Sequence, residues 1–169
     1  MKRHDKLADT LPVGTLGILA LESSHDMGKR VNDYIVDWRK DRAAQNATAS
    51  TFAGYNRDSF LIDSACPRFG SGEAKGIINE SVRGDDLYLL VDVCNYSLTY
   101  TVCGHTNHMS PDDHYQDLKR IIAAVGGKAR RITVIMPFLY ESRQHRRSAR
   151  ESLDCAMAHM ILAFKTQFL

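Results

Sequence analysis

The chain has 169 residues, and 22 Lys and Arg stand against 20 Asp and Glu for a formal net charge of +2. A balance so close to neutral gives no whole-molecule field for nucleic acid, so none is expected as a partner, and the length fits one domain over 1–169. No apolar run approaches the ~20 residues of a membrane span, no signal peptide opens the chain, and Cys66, Cys94, Cys103 and Cys155 show no C-x-x-C spacing, so a cytoplasmic protein with reduced thiols and no membrane partner is expected.

Residues 15–21 form a short apolar run and read as the first strand. Ser23 or Ser24 is placed to cap the helix that follows. In that helix Met27, Val31, Tyr34, Ile35 and Trp38 recur at helical spacing, and Arg39 sits among Lys40, Asp41 and Arg42 at its end, where charge is usually solvated. Residues 41–57 are small and polar and read as a loop. Residues 59–63 are the next strand. Residues 70–76 are rich in turn formers, with 76–79 pairing back as a hairpin arm. Residues 86–93 are almost continuously apolar, as expected of a strand buried on both faces of a parallel sheet.

Residues 95–110 read as an irregular polar loop. His105 and His108, with Asp112, Asp113 and His114, have a loose ligand-like spacing, but a polar loop before a helix explains them as well, and no metal is assigned. Pro111–Val125 is a helix opened by Ser110 and by proline at its first position, and closed by Gly126 and Gly127. Residues 132–138 are the fourth strand and 149–164 the last helix. Alternating strands and helices predict an α/β fold, with a mostly parallel sheet sandwiched between helices in three αβα layers.

Chemistry concentrates in two segments. Residues 140–150 leave the end of the fourth strand and carry Arg143, Arg146, Arg147 and Arg150 together with Gln144. Guanidinium groups in such a place suit a polyanion, because their planar donors match phosphate oxygens in pairs. Charge alone would equally describe a solvated loop. The second segment, 68–84, holds Phe69, Ser71 and Glu73, then Glu80-Ser81-Val82-Arg83-Gly84. Together with Ser24-His25 after the first strand, and with Pro137-Phe138, Tyr140 and Arg143-Gln144, these segments resemble the N-terminal domain of ribose-phosphate pyrophosphokinase, or phosphoribosyl pyrophosphate synthetase. The resemblance spans roughly residues 15–158. The family pattern is a Phe, an acidic or amide residue and a Glu, then Glu-Ser-Val-Arg-Gly, and later Tyr-Ala-Arg-Gln followed by an acidic residue.

The resemblance implies a phosphoribosyltransferase-like fold. It also implies transfer of the pyrophosphoryl group of ATP, bound with Mg2+, to ribose 5-phosphate, giving phosphoribosyl pyrophosphate for nucleotide biosynthesis. Arg143 and Gln144 would bind ATP. Physically, a guanidinium stacks on a π face and pairs with phosphate, while an amide offers a donor and an acceptor to a base edge. Phe69, Ser71 and Glu73 would form an adenine-binding hairpin reaching into a neighbouring subunit, which implies a homo-oligomer. Ser81, Arg83 and Arg150 would belong to a regulatory phosphate site between subunits.

Two positions depart from the pattern. Ser71 stands where the family has Asp or Asn, and His145 where it has an acidic residue. The family's Phe-Asp-x-His segment, its ribose-5-phosphate loop and its loop with catalytic Lys and Arg do not occur in these residues, and 159–169 diverge from the family's helix. No catalytic residue is therefore assigned, the catalytic C-terminal half is expected to be absent, and the chain alone is expected to be inactive. The same residues also fit a second reading, a non-catalytic nucleotide-binding or regulatory subunit that joins a full-length synthetase.

Overall fold

A computed structural model describes residues 12–45 and 54–154. In chain order the elements are β1 (Leu16–Ala20), α1 (His25–Gln45), β2 (Ser64–Ala65), β3 (Ile77–Ile78), β4 (Asp86–Leu90), β5 (Thr99–Val102), β6 (His105–His108), α2 (Pro111–Val125) and β7 (Arg131–Ile135). A one-turn 3-10 helix, Glu22–Ser24, joins β1 to α1.

The central sheet is parallel, in the order β1-β4-β7, with Leu16 opposite Asp86 and Asp86 opposite Arg131. The expected strand at 59–63 is present only as an extended segment along the free edge of β1. Ile18 N–H donates to Phe60 O at 2.8 Å, and Ile62 N–H donates to Ile18 O at 2.8 Å. The chain thus runs outward from β1 to this edge, then returns across β1 to β4 and on to β7. The order reverses between β1 and β4, and crevices at the carboxyl ends of such a reversal are where open α/β sheets hold ligands.

Side-chain alternation divides the core between the two faces. Leu19, Leu87, Leu89, Val91 and Val93 pack with Leu118, Ile121, Ile122 and Val125 of α2. Ile18, Leu90 and Phe60 pack with Val36 of α1, with Met27 and Ile35 beside them. The helices therefore cover opposite faces, as the three-layer expectation required. α2 has the predicted ends. Ser110 Oγ accepts from Asp113 N–H, the Asp113 carboxylate accepts from Ser110 N–H, and Gly126 closes the helix in the left-handed conformation.

Several expectations need correction. Ser23 and Ser24 cap nothing: the Ser23 hydroxyl accepts from Asp92 N–H at 3.1 Å, tying the end of β1 to the end of β4. Residues 41–45, expected in a loop, continue α1. Residues 95–110 are not irregular, because β5 and β6 form an antiparallel hairpin turned at Cys103-Gly104, both at positive φ. The stripe Val31, Tyr34 and Trp38 is not the buried face of α1, since Tyr34 is 71% and Trp38 49% exposed. The buried face lies one residue along, at Gly28, Asn32 and Val36. Gly28 sits where a Cβ would meet the Ala20 methyl at 2.3 Å, so α1 rests on β1 through a glycine rather than an apolar knob. Residues 149–153 are irregular, a helix is assigned only at Asp154, and the rest of the expected last helix lies outside the described residues. No helix among the described residues is long and apolar enough to cross a membrane.

Candidate functional site

Beyond β7 the chain meets Pro137, which ends strand pairing, and enters an irregular stretch whose first anchor is Tyr140. Its ring stacks on Tyr115 with centroids 4.1 Å apart and planes 7° off parallel. Its hydroxyl donates to Asp112 Oδ1 at 2.6 Å. Burial and the Asp112 carboxylate push the Tyr140 phenol well above its usual range, so it stays a donor. Glu141 then takes a positive φ of 58°, and Gln144 N–H donates to Glu141 O at 3.0 Å. The loop is thereby hung from the first turns of α2 rather than left to drift.

This anchoring presents Arg143 at the rim of a hollow of about 280 Å³ walled by Val93, Cys94, Pro111, Phe138 and Tyr140. The hollow lies beyond the carboxyl ends of β4 and β7. Arg143 is exposed and has no hydrogen bond or ion pair among the described residues. Gln144 is different. Its Nε2 donates to Ser152 O at 2.7 Å, so one of its donors is already spent in closing the loop 144–152 on itself.

Phe69, Ser71 and Glu73 lie together at the tip of a second hairpin. β2 and β3 pair antiparallel, Arg68 bridges Ala74, and Phe69 N–H donates to Glu73 O at 2.7 Å. Gly72 turns the tip at a φ of 89°, where a side chain would be strained. Ser71 Oγ donates to Glu73 Oε2 at 3.0 Å, and the Phe69 ring is 50% exposed. The base of this hairpin is fastened to α2. Arg68 pairs with Asp117 at 2.9 Å and lies over the Tyr100 ring at 4.8 Å. Burial raises the Asp117 carboxyl, and Arg68 and Arg120 on either side of it oppose that rise. Among the described residues no hydrogen bond, ion pair or ring contact joins Phe69, Ser71 or Glu73 to Arg143 or Gln144 within one chain.

Ser81 and Arg83 flank buried Val82 just before β4, at the amino end of the sheet. Gly84, at a φ of 79°, completes that turn by donating to Lys128 O. Arg150 belongs to the loop after the carboxyl end of β7, so a single chain sets Arg150 apart from Ser81 and Arg83. Four of the five residues of the loose histidine cluster have other partners. His108 stacks on Tyr96 and meets Tyr96 O at 2.8 Å, buried His114 meets Asn95 O at 2.7 Å, and Asp112 and Asp113 serve Tyr140 and the helix cap. Among the described residues no three His, Cys, Asp or Glu side chains converge to hold a metal ion.

A second hollow has no signal in the sequence. It measures about 340 Å³ and lies beyond the carboxyl end of β1, under the hairpin base and against β5. Its walls come from residues scattered over 21–121, with β5 in a segment whose composition is that of a loop, so no local pattern announces it.

Comparison with known proteins matches the sequence to a family model and the fold to solved structures. The N-terminal domain of ribose phosphate pyrophosphokinase matches residues 16–164. Thirty-five chains of solved structures also match. Among them is the crystal structure of phosphoribosylpyrophosphate synthetase from Mycobacterium smegmatis, with a TM-score of 0.61 and 21% identity. That match covers 89% of this chain and 39% of the mycobacterial one, so the chain spans well under half its length. No curated protein sequence matches.

Proposed function

From the premise that the chain belongs to the family of ribose-phosphate pyrophosphokinase N-terminal domains, we propose that it supplies the adenine-nucleotide-binding part of such an enzyme. The activity of the complete assembly would be transfer of pyrophosphate from ATP to ribose 5-phosphate. The observation that carries this reading is Arg143, a guanidinium without a partner among the described residues, on an anchored loop at the rim of a mostly apolar hollow at the strands' carboxyl ends. A flat base fits the hollow, and the guanidinium meets its phosphates or lies on its face. Phe69, exposed at a rigid hairpin tip, covers the base of a nucleotide held by a neighbouring copy, with Ser71 and Glu73 meeting its edge. Gln144 acts first as the clasp of the loop, and its remaining amide atoms face the nucleotide.

Chemistry of this kind rests on positioning and charge neutralisation, and arginine supplies both. The described carboxylates make no magnesium site of their own: Asp112 is held by Tyr140, and His145 stands beside Gln144 where an acidic side chain would be. Mg2+ would arrive on the nucleotide phosphates, and ribose 5-phosphate would be held by residues outside this chain. Ser81 and Arg83 of one copy and Arg150 of another form the regulatory phosphate site only across an interface.

Mixing tests the shared site. Phe69→Ala and Arg143→Ala each weaken ATP binding about tenfold or more alone, and an equimolar mixture regains part of it, because some interfaces pair two intact halves. A mixture as weak as its components would refute sharing. The second reading, a nucleotide-binding or regulatory subunit without activity of its own, is favoured by His145, which puts an imidazole where the family pattern has a carboxylate. It predicts no AMP formation dependent on ribose 5-phosphate from the chain alone, and altered rates on adding a full-length synthetase.

A further inference from the structure

We propose that the hollow beyond β1 is a second ligand site, separate from the Arg143 site, and that it takes an uncharged, hydroxyl-rich ring compound. At about 340 Å³ it lies at the small end of ligand pockets, suited to one or two rings. It sits beside the point where strand order reverses, the general location of ligands in open α/β sheets. It shares no wall residue with the hollow at Arg143.

The walls choose the chemistry. Arg68 is the only cation among the wall residues, and it is spent on Asp117, on Asp113 at 3.8 Å and on the Tyr100 ring. Glu22 adds a further negative charge, so a phosphate would find repulsion and no free donor of opposite charge. Three hydroxyls, those of Ser64, Thr99 and Tyr100, line the hollow without a hydrogen-bond partner among the described residues. A hydroxyl both donates and accepts, so such a set meets ring hydroxyls in either sense. Leu98, Met109 and Ile121 supply apolar wall for a ring face. A free sugar and a nucleoside share this chemistry.

Calorimetric titration of the full chain with ribose, adenosine and inorganic phosphate tests the site. Ribose or adenosine is expected to bind and phosphate not to. Equal affinity for both identifies the sugar as the ligand, whereas binding of adenosine alone identifies a nucleoside. Thr99→Trp, which fills the mouth, should abolish this binding. Tyr100→Phe, which removes one oxygen and no volume, should weaken it by about two- to tenfold. Arg143→Ala should leave ribose binding unchanged, since ribose carries neither the base nor the phosphate that Arg143 is proposed to meet. The proposal fails if neither ring compound binds, if phosphate binds in their place, if the Thr99 and Tyr100 variants bind as wild type does, or if Arg143→Ala removes ribose binding.

Discussion

Arg39 and Arg143 look alike in the sequence, each lying in a run of charged residues, yet their surroundings give them different work. Arg39 is half-buried, donates to Tyr55 O at 3.0 Å, and lies over the Tyr55 and Phe60 rings at 4.6 Å each. Its expected solvated role is therefore corrected: it fastens the segment before the edge strand to α1. Arg39→Ala should cost about 1–2 kcal/mol of stability and lower the melting midpoint by a few degrees. Arg143→Ala should leave melting unchanged while weakening ATP binding tenfold or more, because losing a charged hydrogen-bond partner costs roughly 1.5–3 kcal/mol. Arg130, exposed beside the amino end of β7, is the matched control, and its alanine variant should do neither. Equal binding losses at 130 and 143 would remove the case for the Arg143 loop. Cys66 gives a pH signature. Burial pushes its thiol from an ordinary value near 9 up to about 12. The raised value means its contribution is whole below pH 9 and is lost as pH climbs from 9 toward 12, since only the unfolded chain then releases the proton. Melting midpoints measured from pH 8 to 11 should fall, and should fall less steeply for Cys66→Ala.

At the scale of elements, what could be read from the sequence depended on whether a signal was local. The caps of α2 and the Gly72 turn each depend on a few neighbouring residues, and each formed as expected, while the run expected as a strand over 86–93 pairs only over Asp86–Leu90. The face of α1 depends on partners distant in sequence. Asn32 interrupts any apolar pattern, yet it faces inward because its Oδ1 accepts from Phe60 N–H at 2.7 Å, an edge-strand amide that β1 leaves unpaired. No spacing rule assigns a polar residue to the core for that reason. Asn32→Ala should strand this buried donor and cost about 1–3 kcal/mol in denaturant unfolding. A cost near zero would mean that water or the Ser59 hydroxyl, 3.4 Å from the same oxygen, replaces it. The β5–β6 hairpin is hard to read for a related reason. β6 is short, polar and exposed throughout, and β5, Thr99–Val102, alternates over only four residues, too few to mark a half-buried strand. The candidate nucleotide residues rest on two separated motifs that agree in order. The hollow beyond β1 has no motif at all.

At the scale of the whole molecule, the two segments proposed to face the nucleotide stand on separate supports. Phe69 projects from a hairpin fastened to Asp117, and Arg143 from a loop fastened to Asp112 and Tyr115, and among the described residues no hydrogen bond, ion pair or ring contact joins the two. α1 adds an exposed apolar stripe at Val31, Tyr34 and Trp38, a surface of the kind that drives association. If a complete site needs two copies, ATP affinity must follow protein concentration, since binding to the assembled form alone links the two equilibria. Dilute chain should give little signal with ATP, and concentrated chain should bind and saturate. ATP should in turn raise the weight-average mass seen by sedimentation, because the coupling is reciprocal. Phe69→Ala should abolish the ATP-driven rise without preventing association in ATP's absence. Tight ATP binding by a monomer verified in the same ultracentrifuge run would overturn the shared site and return Phe69 to the role of a surface aromatic.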